Sequence, residues 1–458
     1  MPFRCFALAS ILAASASAQA PVEWAPSTES VRLLVPEADW SIDLEVADFD
    51  SVEVFNVPLV NDGKRLSVAL ISAGDTLRVV PDAPGIYRVR LAREGRRIAL
   101  DFTFWSPAEA SFSDDQIGTS RIAAPEVYEL VNVAFALTPT GRDTTNVLVW
   151  RSGPYYDRVR AHFLPFTEHP AIIALEAVLR DDDYVPVRSN ALAFRFEDDR
   201  IVPDTTYASL GRGHARLTTL LPDLEAFATE SGFRAFYDEN RPYYVESVRD
   251  MEDLLPVHQM WTWLEAEFPA RSQSYLTVFS PLTYGTHNAM TVEDGDHRQS
   301  IAFIPGPSVL EDGESIVGTG SASWRQVEMS RMAFTEYDHT YVNPAMDPHI
   351  RAIQDAMPDL DVWNQISVYR SAYETFAEYM TWAVFLLYID DHYPAETAAE
   401  TRDGVTRFME RNRGFVQFGA FEGALADRYA RRAPGETVAD LIPDLAAWMA
   451  DRATDEQR

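Results

Sequence analysis

From residue 27 to about 105 the chain alternates apolar and polar residues with a period of two. SIDLEVADF (41–49), RLSVALISA (65–73), DTLRVVP (75–81) and IYRVRLA (86–92) each present one apolar face, with turn signals at Asn61-Asp62-Gly63 and Pro84-Gly85. Short strands at this spacing predict a small β-sandwich over residues 19–105, closed by IALDFTFW (98–105). The Ser/Asp-rich stretch 106–120 reads as a linker.

Beyond residue 121 the period lengthens. PEVYELVNVAFALT (125–138) sets Val127, Leu130, Val131 and Phe135 on one helical face, and 221–248 begins two aromatic-rich helices. SYLTVFSPL (274–282) and QSIAFIPGPS (299–308) read as two strands forming one edge of a small sheet, joined by a loop that holds His287 and His297. Helices follow over 320–342, 363–390 and 398–414, then a C-terminal pair. The pattern predicts an α+β chain: an N-terminal β-sandwich, then a mainly helical domain with a small sheet over 121–458.

Composition changes this picture in two ways. Residues 1–18 combine Arg4, the apolar run CFALASILAA and the small-residue site ASA, which is the layout of a signal peptide and predicts export to a periplasm or the extracellular space. No other stretch reaches the roughly 20 apolar residues that a membrane span needs. Cys5, inside that leader, is the only cysteine, so the processed chain has no disulfide, thiol nucleophile or thiolate ligand. Any transition metal must then be held by His, Asp or Glu. Removing Arg4 leaves 38 bases against 70 acids, a net charge of −32, which repels nucleic acid as a partner.

The candidate chemistry lies in FTEYDHTYVNP (334–344). A helix reading His-Glu-x-x-His sets two imidazoles one turn apart, with the Glu beside a metal-bound water. Here Glu336 and His339 occupy the second and last positions, while Thr335 stands where the first histidine would be. The helix is expected to end at Asn343-Pro344, because proline disfavours helical geometry in the residue before it. In YETFAEYM (373–380), Glu374 and Glu378 again stand one turn apart on a helix.

YETFAEYM resembles the NEGFAEY helix of gluzincin aminopeptidases, which implies Glu374 as a third metal ligand and Glu378 as an acid orienting a ligand histidine. Together with VYELVNVAFALT, YYDRVRAHFLPFTEHP (155–170), FRAFYDENRPYY (233–244) and VFSPLTYGTHNAM (278–290), it makes residues 121–450 resemble a bacterial family of exported gluzincin-like metallopeptidases, the domain of unknown function 4932 family. Members commonly read HEFSHSFVNP at the key helix. The resemblance implies a zincin fold, zinc as cofactor, and peptides or proteins as substrates.

Thr335 departs from that pattern, because a hydroxyl is a poor zinc ligand. Three repairs are open: Glu336 as a ligand itself, His287 as the missing imidazole, or Asp338 from an irregular helix. An oxygen-rich set of Glu336, His339 and Glu374 suits a harder metal as well as zinc. With the site intact, the expected activity is peptide hydrolysis by a metal-activated water, with Glu336 as general base and Thr335, Asp338 and Glu378 in support. The alternative is a pseudopeptidase that binds peptide or glycan in the remnant cleft. A third reading takes Glu336 and Glu374 as a metal-free glycosidase pair, with Trp261 and Trp263 as sugar platforms.

Overall fold

The computed structural model describes the chain from Val22 to Glu456, apart from residues 29, 37–39, 46–51, 59, 62–63, 74, 82–84, 94–95, 106–107, 182, 313–314, 367–368 and 370. Residues 1–18, read as a leader, lie outside the described residues. Helices and strands mix as an α+β chain that divides into two units, Phe3–Glu109 with Tyr207–Leu221, and Ala110–Thr206 with Pro222–Arg458.

The first unit carries eight principal strands: β1 (Val22–Trp24), β2 (Ser30–Val35), β3 (Trp40–Glu45), β4 (Val52–Pro58), β5 (Val68–Ser72), β6 (Asp75–Val79), β7 (Gly85–Arg93) and β8 (Arg96–Trp105). They form two four-stranded sheets, ordered β1-β7-β8-β4 and β3-β2-β5-β6. The second sheet is antiparallel throughout, whereas β1 and β4 join the first in parallel. Period-two alternation turns Val31, Leu33 and Val35 of β2 inward, and one apolar cluster joins them to Leu77, Val89 and Phe102 from both sheets. The stretch read as a linker contains a strand, Ala108–Ala110, paired with Tyr207–Leu210, and a 3-10 turn at Asp114–Gln116.

The second unit is built on a four-stranded sheet of β9 (Ser120–Ala123), β10 (Ser274–Ser280), β11 (Asn288–Asp294) and β12 (His297–Pro305), in the order β9-β10-β12-β11. β10 is buried along its whole length and pairs in parallel with both neighbours, which suits its unbroken SYLTVFS pattern. The two strands expected at a sheet edge are therefore central neighbours. The segment expected to be a loop supplies the edge strand β11, antiparallel to β12.

The helices that line or support the site include α1 (Glu126–Leu137), α2 (Tyr184–Asn190), α3 (Trp324–Tyr337), α4 (His339–Met346), α5 (Ala372–His392), α6 (Ala395–Arg411) and α7 (Phe418–Arg431). α5 is apolar around most of its circumference and runs through the main core, where Phe334 of α3 meets Phe385 and Tyr388. α3 and α4 are fixed to the sheet by hydroxyls, Tyr337 to Thr277 at 2.6 Å and Thr340 to Ser300 at 2.9 Å.

The helix does not stop at Asn343-Pro344. It breaks at Asp338 and then continues through Pro344 to Met346. Proline removes the hydrogen bond to the carbonyl four residues back. That carbonyl, Thr340 O, accepts instead from the Arg298 guanidinium at 2.6 Å. A donor 42 residues away in sequence thus makes the proline tolerable.

α6 lies close under the loop at 315–317, where a Cβ on Gly404 would come within 2.0 Å of Ile316 O. Gly404→Ala is therefore expected to destabilise the fold by about 1–3 kcal/mol. Gly423, inside α7, has nothing within 4 Å of a new Cβ. Gly423→Ala should instead stabilise by about 0.5–1 kcal/mol through helix propensity. Denaturant melts of both variants check the pair of signs, and equal shifts would contradict it.

Candidate functional site

Charged side chains from α3, α4 and α5 meet beside the β10–β11 connection. A cavity of about 970 Å³ is lined by His287, Thr335, Glu336, His339, Glu374 and Glu378. Asp338, which the sequence offered as a repair ligand, is not among the lining residues. It sits at the break between α3 and α4, with no exposed surface and no side-chain partner for either carboxyl oxygen. Burial above all, then Glu336 and Glu378, pushes its pKa well up, against the single opposing contact of the His339 backbone amide.

Thr335 is turned onto its own helix, where its hydroxyl donates to Arg331 O at 2.8 Å. Glu374 stands in the first turn of α5, where the helix dipole favours a carboxylate. Its backbone N–H donates to the Ser371 cap at 3.1 Å, and the Ser371 hydroxyl donates back to Oε2 at 3.0 Å.

His339 and Glu378 form one pair, with Nε2 3.7 Å from Oε1. Glu378 Oε2 accepts from Arg413 at 2.9 Å, and Arg413 also bonds the Tyr369 hydroxyl. Burial opposes the charge of Glu378, but Arg413, His339 and the Tyr369 hydroxyl together hold its pKa below the ordinary value. Burial also lowers the pKa of His339, against the attraction of Glu378.

His287 and Glu336 form the second pair, with Nδ1 4.0 Å from Oε1. Tyr284 O lies 3.1 Å from His287 Nε2, and a carbonyl only accepts, so Nε2 carries the ring proton and Nδ1 offers a lone pair. Burial, then Arg331 and Arg188, lowers the His287 pKa to about 3. Burial and the nearby Glu378 raise Glu336 to about 8, against Arg413, Arg331 and Arg188. Two carboxyls of one cavity are thus driven apart, one ionised and one protonated at neutral pH.

Four residues that organise the site carried no signal in the local pattern. Arg413 and Tyr369 hold Glu378 from outside its helix. Arg331 binds Glu328 through two hydrogen bonds, at 2.8 and 2.6 Å, on the buried face of α3. Arg188 of α2 bonds Thr286 and Asn288 and so fixes the segment that presents His287. The available hint was physical: carboxylates on an otherwise apolar helix require cations from elsewhere. The tryptophans offered as sugar platforms do not line the cavity, since Trp263 donates to Asp391 and Trp261 packs on His258 and Tyr275.

This donor set does not fit a three-ligand metal centre. Among the described residues no three His, Asp or Glu side chains are grouped to hold an ion. Thr335 is bonded to its own helix, Glu378 is taken up by Arg413, and the two imidazoles face different carboxyls.

The raised pKa of Glu336 has a signature in stability. Below pH 4.5 the carboxyl is protonated in folded and unfolded chains alike; as pH rises toward about 8 only the unfolded chain gives up the proton, so stability falls through that window. Glu336→Gln should match the wild type near pH 4.5 and melt several degrees higher at pH 8, at roughly 2–4 °C per kcal/mol. Thermal melts across pH check this, and a gap that stays constant with pH contradicts it.

Residues 208–388, a span that holds His287, Glu336, His339, Glu374 and Glu378, match the sequence model of a family described as Domain of unknown function (DUF4932), whereas no curated protein and no solved structure matches the chain.

Proposed function

We propose that the chain is an exported, metallopeptidase-like protein whose cleft binds a peptide without metal-dependent hydrolysis. In this reading the first unit is a β-sandwich, the second a zincin-like domain, and residues 1–18 a signal peptide removed on export. The observation that carries it is the disposition of the acids and imidazoles. They stand as two carboxyl–imidazole pairs, His339 with Glu378 and His287 with Glu336, and the position of the first motif histidine holds a threonine bonded to Arg331 O.

What supports a binding role is the space itself. About 970 Å³ is of the size that small ligands and peptide segments occupy, and Tyr284, Trp324, Tyr369 and Trp382 supply aromatic walls around the few polar groups. The second reading, a divalent metal gathered by His287, His339 and Glu374, is favoured by one observation: all three line this cavity, and His287 turns an unprotonated nitrogen into it.

Elemental analysis of the purified chain separates the two readings. The proposal expects no stoichiometric metal in the wild type, even after incubation with zinc or manganese. About one metal per chain, lost in a His339→Ala control, would overturn it in favour of the second reading.

A further inference from the structure

The charges around the cavity are not evenly matched. Glu328 is paired with Arg331, and its other oxygen accepts the backbone N–H groups of Ile316 and Val317. Glu378 is paired with Arg413. Arg188 is engaged by Tyr184, Thr286 and Asn288. Glu336 is left over. Its side chain is only 12% exposed, and no hydrogen bond from a described residue reaches its carboxyl.

A neighbouring imidazole makes the gap chemically specific. His287 Nδ1, 4.0 Å away, offers a lone pair, because the ring proton is on Nε2 and points to Tyr284 O. Glu336 at rest keeps its proton, and once a bound cation draws that proton off, its carboxylate and His287 Nδ1 are two acceptors facing one space that calls for a donor. A group seated about 2.8 Å from each would meet them at nearly a right angle, within what the three donors of an ammonium can span. An ammonium also supplies the counter-charge that a buried carboxylate requires and that no arginine gives Glu336 by direct contact. The same cavity is also lined by the apolar side chains of Leu310, Ile316 and Met332, a surface suited to an alkyl stem carrying such a head.

We infer that the peptide bound in this cleft is recognised through a primary ammonium group seated between Glu336 and His287. The inference rests on the binding role proposed above and adds the chemistry of its ligand. That ammonium belongs either to the peptide's amino terminus or to a lysine side chain.

The test is calorimetric titration of the full processed chain, dialysed against chelator, with three short alanine-based peptides. One has a free amino terminus and no lysine, one is N-acetylated without lysine, and one is N-acetylated with a single lysine. At least one of the two ammonium-bearing peptides should bind roughly tenfold tighter than the lysine-free acetylated one. A free-terminus preference assigns the α-amine, and a preference for the acetylated lysine peptide assigns the side chain. Glu336→Gln should abolish the preference, bringing the three peptides to one affinity. Equal affinity for all three in the wild type overturns the ammonium inference and leaves the binding role standing. Failure of all three to bind overturns both. The wild-type series decides the matter even if the variant does not fold.

Discussion

An ionised carboxylate enters a helical core only with a cation beside it, and α5 carries Glu378 into such a core. Arg413 meets that requirement from beyond the end of α6, 35 residues away in sequence, and Tyr369 shares the guanidinium. Removing either partner of such a pair costs on the order of 3–5 kcal/mol, because the other is left buried and uncompensated. Much of the site follows from this one contact. Glu378 stays ionised, His339 is drawn to it, and Trp382 is packed near both arginines, with Arg331 and Arg413 5.5 and 5.2 Å from its ring centre.

The same contact leaves Glu336 as the odd carboxyl of the cavity. Burial and the charge of Glu378 work in one direction, three more distant arginines in the other, and burial prevails. Glu336 therefore rests as a neutral acid opposite a neutral imidazole. In an intact His-Glu-x-x-His helix, a metal beside this position would supply the positive charge. With threonine at 335 Glu336 keeps its proton unless a positive charge comes from elsewhere, and a cationic ligand is the group that the remaining donors and acceptors fit.

The sequence made the helical spacing of this site readable. Glu336 and His339 on one helix, and Glu374 and Glu378 on another, line one cavity together with His287, as a 3.6-residue period and a handful of dispersed motifs suggested. The alternating strands of the first unit were readable for the same reason, since burial on one face leaves a period of two. What could not be read depends on distant partners. Pro344 looks like a helix stop until Arg298 takes up the Thr340 carbonyl. Residues 288–294 look like a loop until β12 pairs with them. Asp338 looks like a reserve ligand if the helix is irregular, and even with the break at that residue it does not line the cavity.

Imidazole ¹⁵N spectra of the chelator-treated wild-type protein, recorded during a zinc titration, address the central claim directly, since only nine histidines need assignment. The account predicts that His287 is neutral with its proton on Nε2, and that neither His287 nor His339 responds to one equivalent of zinc. Signals of both that shift together and saturate at one equivalent would contradict it.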